Sequence, residues 1–448
     1  MVATNRSGAT GVLDSISHAA DQVPSPGAST SEILKASGII RGGFSIEERD
    51  RRWRTVRQAA RISDFDCLVV PRAVGGVNLC LSLEQVRGAW SDARYLTMLE
   101  DAVVVLPVDG RDPIVITPAP DSNRWIEATR TPSQAPIEPT WPLVVDALNE
   151  LGMGRGRIGV VGMKGGKYTH TRAYDGVVAH TSLTNIRSSF PRASFEDATD
   201  LLGVCRSQKG PEEVQSLALG SRIAEEAIKT FRDTCHVGMD ESEMYALVMA
   251  RFLELGSDYY SLGFRTGPIG VRYWRIVEPR REHPILENQF FQLEFDSLIN
   301  GLISQEAQPM VFGEVPASWK KMIALHEDFW WSSFELMRPG NNLGTLIDFC
   351  RAYGPKNGLR SSDILMHGRG YGNDGPLLTP SDPGTRSMRD IEFAPGNVFV
   401  WKPTVGMDEP GRNGNRAAMR FGWGGNVVVT EDGPKRLFAR SHGLISIQ

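Results

Sequence analysis

The sequence predicts an α+β protein: an α/β N-terminal domain, followed by a larger domain of helices and antiparallel strands. Three observations predict it. From Phe44 to about Leu201, short apolar runs alternate with helical stretches, the pattern of an α/β layer. Two amphipathic helices then follow from Pro211. After Leu255 the chain turns to long extended runs, two of them joined by Asn300-Gly301. A chain of 448 residues suits two domains at roughly 100–200 residues each. The expected division is an N-terminal arm over 1–43, an α/β domain over 44–205 and a second domain over 206–448.

The arm is rich in Ser, Gly, Ala and Thr, and is read as flexible or as packing on a partner subunit. The first helix follows Ser45, an N-cap, with Glu47 and Glu48 in its first turn, where carboxylates favour the helix dipole. DCLVVP, DAVVVLPV and PIVITPA are strand candidates, and WPLVVDALNELG a helix. Pro211 suits a first helical turn, and Val214, Leu217, Ala218, Ile223, Ala224, Ala227, Ile228 and Phe231 form an apolar stripe behind it. Asp240 and Glu243 have capping-box spacing, and Met244, Leu247, Val248, Phe252 and Leu255 carry the buried face of that next helix. FFQLEFDSLI and LISQEAQPMVF read as a hairpin. Helices are expected near 318–337, stopped by Pro339-Gly340, and near 343–353. ILMHG, NVFVWKPTV and NVVVTEDG are the closing strands.

Lys+Arg is 49 against Asp+Glu 53, a balance that argues against a nucleic-acid binder. No run approaches the ~18 apolar residues of a membrane span. Five scattered cysteines (Cys67, Cys80, Cys205, Cys235, Cys350) make no Cys-x-x-Cys pair, so the expectation is a reducing, cytoplasmic setting without a disulfide framework. The N-terminus lacks the apolar core of a secretory signal.

Asn-Gly between extended runs is a strong hairpin signal, because both turn positions take positive φ. Counting outward from the turn, Ile299 faces Leu302, Asp296 faces Gln305 and Glu294 faces Ala307. Side chains alternate along a strand, so Glu294, Asp296, Gln305 and Ala307 share one face. That face is either a site wall or a solvated surface. His367 lies in LMHGRGYGNDGP, with four glycines, Tyr371 and Asp374 close by; glycine lets backbone approach a ligand. No helix follows, so this is not a dinucleotide fingerprint, and GMKGGKYTH around Lys164 lacks phosphate-loop spacing.

With SQKGPEEVQSL before the helix pair, the FD…NG hairpin, His-Gly-x-Gly and a last strand ending NVVVTEDG, the chain resembles the creatinase/prolidase/aminopeptidase P family. LMHGRGYGNDGPLL is most similar to its dimethylsulfoniopropionate lyase branch. The resemblance implies a pita-bread domain, a curved antiparallel sheet covered by helices, and a homodimer. Metal-dependent members hold two ions with two Asp, one His and two Glu. Carried onto this chain, the first Asp falls on Glu294 or Asp296, the second on Gln305, the His on His367, the first Glu on Lys402 and the last near Gly424. A divalent pair needs anionic oxygens, and an ammonium among them repels it. The expectation is therefore no metal and no other cofactor.

Lys402 either refills the metal's place or steers an anionic or carbonyl-bearing substrate, paired with Asp296 or Glu294. Creatinase works without metal through a His before the hairpin; that region here is RTGPIGVRYWRIVEP, which has none. Arg272, Tyr273, Trp274 and Arg275 suggest carboxylate recognition instead, since guanidinium forks match carboxylates. Trp401 and Trp423 flank the former ligand positions and can stack a flat or cationic ligand. The expected function is metal-independent hydrolysis of a C–N bond in a small carboxylate-bearing molecule. His367 and a carboxylate (Asp296, Glu294 or Asp374) form the acid–base pair; Lys402 takes part, and Gln305 and Tyr371 line the substrate. Two alternatives stay open: elimination by proton abstraction, as in the sulfoniopropionate lyases, and a non-catalytic module that binds a ligand or protein.

Overall fold

The computed structural model describes residues 43–71, 92–99, 101–118, 125–133, 139–168, 176–269, 281–379, 388–408 and 418–448. The arm up to residue 42 and Cys80 lie outside them. So do Arg272, Tyr273, Trp274 and Arg275. The chain forms two compact units that divide at Gly210/Pro211; the short segment Tyr371–Pro376 groups with the first.

In the first unit, α1 (Ile46–Ile62) starts where Ser45 Oγ accepts from the Glu48 amide. A six-stranded sheet is built from β1 (Cys67–Val70), β2 (Val103–Pro107), β3 (Ile114–Ile116), β4 (Thr129–Arg130), β5 (Arg157–Val160) and β6 (Ser194–Asp197). Its order is β4-β3-β2-β1-β5-β6. The β1–β2 and β2–β3 pairs are antiparallel and the others parallel, so the sheet is mixed. The apolar runs seen in the sequence are its central strands, buried along their whole length. Helices α2 (Trp141–Glu150) and α3 (His180–Ser189) supply Val144, Ala147, Leu148 and Ile186 to its core.

The second unit opens with α4 (Pro211–Thr234) and α5 (Glu241–Glu254), the latter capped by Asp240. Both pack on a sheet containing β7 (Asp258–Pro268), β8 (Gln289–Ile299) and β9 (Leu302–Phe312). β8 and β9 are the expected hairpin, with Ile299↔Leu302, Asp296↔Gln305 and Glu294↔Ala307 in register. Asn300 and Gly301 take φ of 51° and 80°, the positive values an Asn-Gly turn accommodates. Phe291, Leu293 and Phe295 point to the α4 side, where Phe231 meets Phe291 and Phe295 edge-on. Glu294 and Asp296 alternate with them and point away. Gly220 lets α4 come close, since a Cβ there would lie 2.6 Å from both Ser297 Oγ and Ser304 Oγ.

Two further helices, α6 (Ala317–Phe334) and α7 (Leu343–Lys356), precede the closing strands. Of these, β10 (Met366–Arg369), β11 (Val398–Trp401) and β12 (Gly425–Thr430) are consecutive antiparallel neighbours. A backbone bond from Ile303 to the Gly370 carbonyl and a two-way bridge between Ala307 and Gly424 tie them to β9. The sheet therefore bends round, and brings β10 and the end of β11 to the hairpin face that carries the carboxylates. Among the described residues no helix is long and apolar enough to cross a membrane.

Candidate functional site

Two carboxylates on one hairpin face would ordinarily be solvated, yet Asp296 is 7% exposed and Glu294 half-buried, with Gln305 4% exposed between the strands. Burial on that scale needs partners. Lys402, just past β11, supplies them: its Nζ lies 2.5 Å from Glu294 Oε1 and 2.6 Å from Gln305 Oε1. Because the ammonium can only donate, the oxygen end of the Gln305 amide faces it, and the nitrogen end donates to Asp296. Arg369 Nη2 donates to the same Asp296 at 3.1 Å. The result is a chain of alternating polarity: Glu294, Lys402, Gln305, Asp296, Arg369.

His367 shares the face of this chain and feels the charges of Arg369, Lys402 and Glu294. It pairs across with Val400 on β11, and Lys402 is two residues further on, so alternation puts both on one face. Arg369, two residues after His367 on β10, shares it. The imidazole Nδ1 lies 2.9 Å from the Gly368 carbonyl oxygen, which can only accept, so Nδ1 carries the hydrogen. Nε2 is then the lone-pair nitrogen, and it has no partner among the described residues. The ring itself is 6% exposed.

The charges reinforce this arrangement. Burial, together with Arg369 and Lys402, holds the His367 pKa well below the usual imidazole range, so the ring is neutral near pH 7. Burial pushes Glu294 up, but Lys402 and Arg265 outweigh it and hold the carboxyl down at about 2. Asp296 goes the other way: burial raises it, and Arg369 offsets only part of that. The face thus carries a neutral base, a firmly ionised carboxylate, and a second carboxylate that holds its proton more readily.

Several sequence candidates have partners of their own. Tyr371 and Asp374 group with the first unit. There the Tyr371 hydroxyl accepts from Arg52 at 2.7 Å, and Asp374 pairs with Arg206 at 3.0 Å and Lys209 at 3.6 Å. Asp374, one of the three carboxylates the sequence offered as acid–base partner of His367, is accordingly a member of a buried ion-pair network that also holds Asp92. Trp423 is not a stacking platform: it is wholly buried among Trp330, Phe438 and His442, with Arg440 over its ring and its Nε1 bonded to Gln308. Trp401 is also wholly buried, one residue from Lys402 and so on the opposite face of its strand. These corrections share a cause. Neighbourhood in sequence placed these residues near ligand positions, while alternation and burial turned them away.

Arg369 is the residue that sequence reading missed. Its signal was available: it follows His367 by two positions in an extended run, the spacing of one strand face. Also missed is a second polar cluster on the α4 side of β9. There Arg440 pairs with Glu306 and donates to the Ala307 and Gly424 carbonyls. Glu225 on α4 accepts from the Ala439 and Arg440 amides and from Arg222.

Comparison with known proteins now bears on this geometry. Residues 216–432 match the model of metallopeptidase family M24. This stretch, just under half of the chain, is similar to that family. Solved structures resemble the whole described fold, at identities that speak for fold alone. A dipeptidase from Mycobacterium ulcerans has 17% identity and a TM-score of 0.66, over 91% of this chain and 100% of that one. A prolidase from Thermococcus sibiricus has 15% identity and a TM-score of 0.67, over 91% and 100%. Aminopeptidase P from E. coli has 16% identity and a TM-score of 0.63, over 88% and 95%. Compared by sequence with curated proteins, the chain has no match. The second unit therefore has the pita-bread fold, with the hairpin and closing strands where the family resemblance put them.

Proposed function

We propose that this protein is a hydrolase that breaks a C–N bond in a small molecule with side chains alone. One observation carries the reading: the Lys402 ammonium is held between Glu294 and Gln305, beside a neutral imidazole whose Nε2 is unused. The family fold supports a hydrolase. The donor set does not fit the two divalent ions of metal-dependent members. A cation 2.5 Å from one oxygen and 2.6 Å from the next competes for the same lone pairs. Among the described residues no three His, Cys, Asp or Glu side chains gather to hold a metal. At the last family position, a Cβ on Gly424 would lie 1.8 Å from the Trp401 carbonyl oxygen, at a φ of +152° that side chains rarely adopt. A glutamate has no room there.

In this reading His367 Nε2 takes a proton from water as the water oxygen bonds to the substrate carbon. Lys402 has one hydrogen beyond the two it gives to Glu294 and Gln305, and donates it to the oxygen or nitrogen on which charge develops. As the C–N bond breaks, the His367 imidazolium returns its proton to the leaving nitrogen. Recognition of a carboxylate on the substrate is assigned to Arg272, Tyr273, Trp274 and Arg275.

Elemental analysis of protein purified without chelator is expected to find Mn, Fe, Co and Zn well below one ion per chain; one or two ions would overturn the reading. Amine or ammonia release from a panel of small amides, amidines and ureides is expected to fall by about 10²–10⁴ in kcat on His367→Ala, with the circular dichroism spectrum unchanged. A product with a new double bond and no oxygen from water would replace hydrolysis with elimination.

A further inference from the structure

His326 and His442 are imidazoles that the proposed reaction leaves unused. His326 lies on α6 and is fully buried; His442 is half-buried in the C-terminal segment. Their rings stack with centroids 5.0 Å apart, and Phe421 and Trp423 close around them. A polar ring in such surroundings needs hydrogen bonds. Both of these lead toward Lys402. His326 Nε2 donates to the Pro403 carbonyl at 2.8 Å, and His442 Nε2 donates to His326 Nδ1 at 2.7 Å.

Pro403 is the joint behind Lys402. β11 ends at Trp401 and pairs with β10 and β12, whereas the next strand, Thr404–Asp408, pairs with Ser361–Asp363 and Ala418–Gly422 in another sheet. Lys402 and Pro403 are the residues that cross from one sheet to the other. The Lys402 amide donates to the Leu365 carbonyl at 3.2 Å. Proline has no N–H, so Pro403 can be tied only through its carbonyl, and His326 ties it. Of the two bonds that fix this crossing, His326 supplies the one made by a side chain.

We propose that His326 is a positioning residue for Lys402, and that His442 keeps it in that role. The inference rests on the reading above, in which Lys402 takes part in the chemistry, and adds to it what aims the ammonium. A carbonyl only accepts, so His326 holds Pro403 only in the tautomer with its hydrogen on Nε2. That tautomer puts a lone pair on Nδ1 of a fully buried ring, and the His442 Nε2–H satisfies it. Without His442 the His326 hydrogen can move to Nδ1, and Pro403 is released. His442 Nδ1 ends the series as a buried acceptor with no hydrogen-bond partner among the described residues. A released Pro403 lets the Lys402 backbone shift, and with it an ammonium held at 2.5 Å and 2.6 Å from its two oxygens. A misplacement of about 1 Å in a reacting group is worth about 10²-fold in rate.

The test follows the Lys402 ammonium in 1H–15N spectra of the lysine side chains of the full chain. An ammonium held out of water by Glu294 and Gln305 exchanges slowly and gives its own resonance, assigned by its loss in Lys402→Met. His326→Phe keeps a ring but no donor. It is expected to shift that resonance or broaden it beyond detection, and to lower kcat for amine release by about 10–100-fold with KM within about twofold. His326→Gln, whose side-chain amide can donate to the Pro403 carbonyl, should restore both. His442→Phe should fall between, with the 15N spectrum of the His326 ring showing hydrogen on Nδ1 as well as on Nε2. An unshifted Lys402 resonance in His326→Phe, with the circular dichroism spectrum unchanged, would make the histidine pair mere packing and overturn the proposal. If His326→Phe does not fold, an unshifted resonance in His442→Phe overturns it instead. A wild type without that resonance would overturn it too, since Lys402 would then not be held. No amine release by wild type from the whole panel would sink the hydrolase reading alone, because the ammonium spectrum still judges His326.

Discussion

The β8–β9 hairpin carries a buried polar cluster on each side, and the two differ in one respect. On the α4 side the charged and amide groups are densely bonded. Arg440 reaches Glu306, Gln308, Ala307 and Gly424; Glu225 accepts two backbone amides and Arg222; the Gln308 amide donates to the Pro309 and Gly443 carbonyls and accepts from Trp423. On the His367 side, among the described residues, three groups keep capacity: Nε2 of the imidazole, one hydrogen of Lys402 and the second oxygen of Glu294. A saturated cluster is scaffold, since a ligand could only replace bonds it already has. A cluster with capacity left over gains by binding something. The difference teaches that burial and charge alone do not pick out a site; unused valence does.

The largest effect expected from this contrast is on stability. Glu306→Ala strips the largely buried Arg440 side chain, 10% exposed, of its carboxylate and should lower the unfolding free energy by roughly 3–5 kcal/mol, as measured by urea denaturation. His367→Ala removes a ring whose Nε2 has no partner, and should cost much less. If the two costs were equal, the contrast between the faces would be wrong. A smaller loss is expected from Gly425→Ala. Its Cβ would lie 1.7 Å from Glu306 Oε2, so the carboxylate must move, at a cost of about 1–3 kcal/mol.

A pH effect sharpens the picture from a third place. His326 is buried, with Nε2 2.8 Å from the Pro403 carbonyl and Nδ1 2.7 Å from His442 Nε2. The carbonyl only accepts, so His326 carries its hydrogen on Nε2 and His442 donates to its Nδ1. Burial lowers His326 to about 4; burial, with His326 and Arg440 beside it, lowers His442 to about 3. Both pKa values are depressed on folding, so the unfolded chain binds protons first. Stability from this pair is present in full above about 6.5 and is lost as pH falls through 4 toward 3. Urea midpoints between pH 7 and 4 should fall with pH, and fall less steeply in His442→Gln, the smallest of the three effects.

Much of the fold was legible because its signals are local. Ser45, Pro211 and Asp240 mark helix starts by backbone chemistry that needs no distant partner. The hairpin register followed from two turn residues and a period of two. The same counting found Glu294, Asp296 and Gln305 on one face. It could not find which of them is ionised, or why Asp374 belongs elsewhere. Lys402 stands 108 residues from Glu294, and Asp374 stands 168 residues from Arg206; chain distances of that size leave no periodic trace.

By itself, then, the sequence determined the order of elements and the hairpin with its register, since these depend on residue identity and near neighbours. Only the tertiary structure decided that Lys402 sits between Glu294 and Gln305, that Arg369 meets Asp296, and that Trp401 and Trp423 turn into the core. The reason is physical. Which charges meet is set by how the sheet bends to close β10 and β11 over the hairpin, and that bend is a property of packing, not of any local stretch of chain.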